Sequence, residues 1–83
     1  MLRPTELALA HLAKGERDVA ELLVSQALKQ NPNSASAWRA QGLISLQKGD
    51  DAEAFRAFEK AAQLREQAAK LKRAKADLGL TDL

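Results

Sequence analysis

Two stretches of this 83-residue chain run in parallel: Leu9–Ala20, LAHLAKGERDVA, and Leu43–Ala54, LISLQKGDDAEA. A shift of 34 residues sets Leu9 on Leu43, Leu12 on Leu46, Lys14-Gly15 on Lys48-Gly49, Glu16 on Asp50 and Ala20 on Ala54, and continues to Ala27 on Ala61. Each stretch carries leucines at helical spacing into Lys-Gly, then an acid. Glycine suits the left-handed conformation that ends a helix, and an acid complements the positive end of the helix that follows. A fixed 34-residue period is what stacked helix-turn-helix units show. Alanine at each crossing lets antiparallel helices approach closely, and a bulky residue four positions on, Val24 or Phe58, fills the gap beside it.

Glycine and proline punctuate the rest. Pro4 suits a first helical turn, where its missing N–H costs nothing, and the apolar stretch after it ends at Lys14-Gly15. A second helix is predicted over Arg17 to Gln30, with Ala20, Leu23, Val24, Ala27 and Leu28 at helical spacing. Asn31-Pro32-Asn33-Ser34 is the strongest break: the residue before proline is pushed out of the α region, and Asn33 or Ser34 can cap the next helix. The third stretch runs from Ala35 to about Lys48 and stops at Gly49-Asp50. From Asp51, whose neighbour Asp50 caps and complements a helix start, there is no Gly or Pro until Gly79. The reading is all-α, with no strand.

Composition agrees. Alanine (17) and leucine (14) fill over a third of the chain, favouring helix in almost every window. The length allows one small domain, 1–83, so a large multidomain enzyme is excluded. Without cysteine there is no disulfide, no thiolate nucleophile and no thiolate metal site. No apolar run approaches a membrane span. Arg3 and Pro4 lead into Glu6 and an amphipathic pattern rather than a signal sequence, so a cytoplasmic location is expected. The methionine start and capped end are read as those of a standalone domain. The net charge of +2 falls wholly in residues 65–83, where Arg65, Lys70, Lys72, Arg73 and Lys75 outnumber three acids.

These features resemble the tetratricopeptide repeat family, whose 34-residue motif has the form W-x₂-L-G-x₂-Y…A-x₃-F…P. The second unit supplies Trp38, Gly42, Ala54 and Phe58 at that spacing, and Gln47-Lys48-Gly49-Asp50 followed by Ala52-Glu53-Ala54 has the family's turn. The first unit supplies Leu7, Ala8, Ala20, Val24, Ala27 and the closing Pro32. Repeat one is expected over about 2–33, repeat two over 34–66 and a C-terminal helix over 67–79. Pro4 stands where the motif has its tryptophan, so the first helix is expected to be short. Gln41 replaces the motif leucine, and His11 and Ser45 replace the aromatic, which weakens the core locally. Glu66 replaces the closing proline, so the fourth helix has no stop there, and the stripe Ala61, Leu64, Ala68, Leu71, Ala74, Leu78 continues past it. The tail reads as a helix fused to, or kinked from, the fourth one, and the resemblance implies that such a helix covers the last repeat's core. Gly79 suits a left-handed cap, with Leu80 over it.

No set of residues supports catalysis, a cofactor or a metal. His11 is solitary, the serines lie in helices or at a cap, and the glycines are scattered singly. Trp38 matches a motif position and is expected in the core. The resemblance implies a groove lined by the first helix of each unit, with Thr5, Leu9 and Leu12 from one and Arg39, Leu43 and Leu46 from the other, and Gln47 on the rim. Leu9 and Leu43 stand where the carboxylate-binding subclass has asparagines, which points away from that ligand. The expected partner is another protein, offering an apolar or amphipathic peptide or helix. Two repeats leave apolar ends, so a homodimer through Leu64, Leu71 and Leu78 is favoured. The alternative is a nucleic-acid or anionic-surface binder using the basic tail.

Overall fold

The computed structural model describes residues 3–79, which form four helices and no strand: α1 Pro4–Ala13, α2 Arg17–Gln30, α3 Ala35–Gln47 and α4 Asp51–Asp77. Each boundary has a local cause. Pro4 occupies the first turn of α1. Asn31 Oδ1 accepts from the Asn33 N–H at 3.1 Å, and Ser34 Oγ accepts from the Ala37 N–H at 3.2 Å to cap α3. Asp50 Oδ1 does the same for α4, from the Glu53 N–H at 3.1 Å.

The two turns repeat each other in detail. Gly15 and Gly49 take φ of 83° and 79°. The Gly15 N–H donates to the Leu12 carbonyl at 3.0 Å and Glu16 to His11 at 2.9 Å; 34 residues later Gly49 donates to Leu46 at 3.1 Å and Asp50 to Ser45 at 2.9 Å. The sequence period is therefore a period of backbone conformation.

α3 is the hub. It packs on α2 and α1 on one side and on α4 on the other, and among the described residues α4 packs against no other helix. The core joins Ala8, Leu12, Ala20, Val24, Ala40 and Ile44, with Leu9, Leu23, Leu28 and Leu43 packed against it. Ala54, Ala57 and Ala61 are buried along the seam with α3, small residues that bring the helix axes close. Gly42 is there for the same reason: a Cβ on it would lie 2.7 Å from the Phe58 ring.

Two expectations are corrected. Trp38 is half-buried rather than enclosed; its indole N–H donates to the Pro32 carbonyl at 2.7 Å, which holds the ring at the edge of the stack. The C-terminal segment does not fold back over the last repeat. α4 runs unbroken for 27 residues, about 40 Å at 1.5 Å per residue, twice the length of α3. From Arg65 to Gly79 every residue is exposed. With no Gly or Pro before Gly79, nothing turns the helix, and Lys70 pairs with Glu66 at 3.4 Å one turn away. Gly79 takes the left-handed φ of 71° expected of a cap; Leu80 lies outside the described residues.

Candidate functional site

α1 and α3 lie side by side, so residues 34 apart share a face. Thr5, Leu9 and Arg39 line one cavity of about 200 Å³. Thr5 and Leu9 are half-buried, and Arg39 is exposed. Leu43 follows one turn along α3, half-buried above the core, and Leu46 is next, 48% exposed. These five residues give an apolar strip with a cationic end.

Leu12 does not belong to it. It is 7% exposed and sits in the core with Val24 and Ile44, because α2 and α3 close over it. Gln47 lies apart from the cavity too: it lines a crevice with Gly15, Arg17 and Val19 between the two turns. Its carbonyl accepts from Arg17 Nη1 at 3.4 Å. Beside it Lys48 Nζ meets Glu21 Oε1 at 3.0 Å, a pair that ties one repeat to the next. The hydrogen bond and charge of Glu21 hold the Lys48 pKa above the ordinary lysine value.

Sequence reasoning missed the rest of the cavity. Arg3 precedes α1, Arg39 is on α3 and Arg65 is on α4, yet all three line the same space. Ser34 and Ser36 at the start of α3 add hydroxyls, and Glu6 adds one carboxylate. Among the described residues no carboxylate lies within 4.0 Å of any of the three guanidinium groups. Residues from three elements far apart in the chain leave no local spacing signal; from sequence Arg39 is expected in the groove and Arg65 only in the basic tail, and nothing joins them to Arg3.

The stripe proposed for self-association lies on the projecting part of α4. Leu64 is half-buried at its root, while Leu71 and Leu78 are 57% and 72% exposed. Lys70, Lys72, Arg73 and Lys75 are exposed around them. His11, the solitary histidine, meets Glu16 at 3.0 Å across the first turn. No described helix is long and apolar enough to cross a membrane.

No curated protein and no solved structure matches the chain significantly. A family model does, the tetratricopeptide repeat, over residues 5–78. Repeats of this family generally mediate protein–protein interaction and are typically non-catalytic. The match spans both 34-residue units and most of the projecting helix, and it agrees with the duplicated turns and the small-residue crossings. The chain is a member of the tetratricopeptide repeat family.

Proposed function

We propose that this chain is an adaptor that binds an apolar or amphipathic helix of another protein along Leu9, Leu43 and Leu46, with Thr5 and Arg39 at one end of the strip. The observation that carries this reading is Leu46. In a close-packed stack its counterpart Leu12 is covered, whereas Leu46 stands open beside the half-exposed Leu43. An apolar row on a preformed helical face fits a helix bearing anchors three and four residues apart. The test is selection of a displayed peptide library on the wild type, counter-selected on Leu46→Asp, which leaves the core untouched. Enrichment of peptides with leucines at helical spacing supports the reading; peptides that bind both proteins equally would refute it.

A second reading concerns self-association. Leu71 and Leu78 are open at the exposed C-terminal part of the chain described, beyond the seam with α3, and a second copy is one way to cover them. Pairing two such helices brings their Lys70, Lys72, Arg73 and Lys75 together, so a homodimer would strengthen as salt screens the repulsion. Sedimentation equilibrium across a salt series checks this: a 9.0 kDa species at every salt concentration excludes the dimer.

A further inference from the structure

We infer that the partner helix is acidic, and that Arg3, Arg39 and Arg65 hold its carboxylates at the end of the apolar strip. This rests on the groove reading above and specifies the chemistry of its occupant.

Arg3, Arg39 and Arg65 line one small cavity with Glu6 as the single acid among its lining residues, a formal balance of about +2, and among the described residues none of the three arginines is ion-paired. Guanidinium groups pair with carboxylates through two parallel hydrogen bonds, and the Ser34 and Ser36 hydroxyls can donate to the same oxygens. The positive character continues along α4. Lys72 stands two turns beyond Arg65 on the same helix face, and residues 65–79 hold five cations against two acids. Leu71, about 100° around the helix from Lys72, is exposed as well. An acidic amphipathic helix matches these parts: leucines on Leu43 and Leu46, and glutamates on the arginines and Lys72.

A nucleic acid fits less well. Glu6 and Leu9 are inside the cavity, and no aromatic ring lines it on which a base could stack. Trp38 faces a different cleft, with Gln41, Arg56 and Lys60.

The test is fluorescence anisotropy with a labelled synthetic helix of about 18 residues, five turns, bearing leucines at three- and four-residue spacing and glutamates on the flanks. Its counterpart has glutamine at every glutamate. The acidic helix should bind the wild type about tenfold more tightly at low salt, equivalent to about 1.4 kcal/mol, and the advantage should vanish near 1 M salt, where charges are screened beyond about 3 Å. Arg39→Gln with Arg65→Gln, both exposed positions, should remove the advantage, so that the acidic and the neutral helix bind this variant equally. Leu46→Asp should weaken both. Equal binding of the two helices overturns the acidic preference and leaves the apolar groove standing. Failure of both helices to bind overturns the groove and the preference together. Tighter binding of a single-stranded oligothymidylate than of the acidic helix overturns the inference in favour of nucleic acid.

Discussion

Leu12 and Leu46 hold the same place in the 34-residue period, yet one is 7% exposed and the other 48%. Their local surroundings are near copies, down to the hydrogen bonds of the turns that follow them. What differs is the neighbour: Leu12 has the next repeat's α3 across from it, and among the described residues no further helix pair stacks on Leu46. The same contrast separates α2 from α4. α2 stops after 14 residues at Asn31-Pro32, whereas α4, with Glu66 in place of the proline, continues to 27. Local chemistry sets turn geometry and helix ends, and burial is decided by what is stacked beside the repeat.

The largest test of that contrast is truncation of the two leucines. Leu12→Ala should destabilise by about 2–5 kcal/mol, since it opens a cavity in a closed core, while Leu46→Ala should stay within about 0.5 kcal/mol. Thermal melts resolve this easily, because 1 kcal/mol shifts the midpoint of so small a domain by roughly 4–8 °C. Equal losses at the two positions would mean that Leu46 is covered in solution.

The second test concerns the helix crossings. Repeat one solves its crossing with Ala8 and Val24, both buried in one cluster, and repeat two with Gly42 and Phe58. Gly42→Ala should cost about 1–3 kcal/mol through overpacking, although alanine is the better helix former by about 1 kcal/mol. Phe58→Val should also destabilise by about 1–3 kcal/mol, as a large-to-small change. The pair together recreates the repeat-one solution, so the double variant should recover much of the combined loss. Additive losses in the double-mutant cycle would show that the two side chains do not share the crossing.

Glu66→Pro supplies the stop that α2 has and α4 lacks. It should remove helical circular dichroism equivalent to the exposed part of α4, while the melting midpoint of the remaining stack changes little, because that part packs against no other helix. A collapse of the midpoint would reveal unseen contacts.

The smallest expected effect is at Lys48. Glu21 raises its folded pKa above the ordinary lysine value. The stabilisation it brings is therefore fully present below the unfolded pKa and is lost as pH rises through the folded one. Lys48→Gln should lower the midpoint slightly at neutral pH, with the difference from wild type vanishing in strongly alkaline solution. A difference that persists there would assign the effect to packing rather than charge.

These contrasts also explain what could be read from sequence. Gly15, Pro32, Ser34, Gly49 and Asp50 announce their own turns and caps, since each acts through its own backbone or a donor three residues away, so the helix boundaries were legible. The missing proline at residue 66 took away the stop of the fourth helix and left a fused and a kinked continuation both open. That helix's direction was not announced, because whether a helix folds back or projects depends on contacts absent from its own pattern. Leu12 was misplaced for the same reason: its spacing is that of Leu46, and only the stacking of α3 tells them apart. The arginine cavity needed three elements in place before Arg3 and Arg65 could be seen beside Arg39.

The unsupported length of α4 has a consequence for how it melts. A free peptide of about a dozen residues is barely helical in water, because fixing the first turn is costly while each added residue gains little. Beyond Leu64 that first turn is already fixed by the seam with α3, so the segment only has to propagate. Amide hydrogen exchange should therefore form a gradient, slow near Leu64 and quickening residue by residue toward Asp77, rather than a single cooperative step. A molecule that grips the far turns only has to suppress fraying, not order a coil, and so meets a smaller conformational-entropy cost than it would on a disordered tail of the same composition.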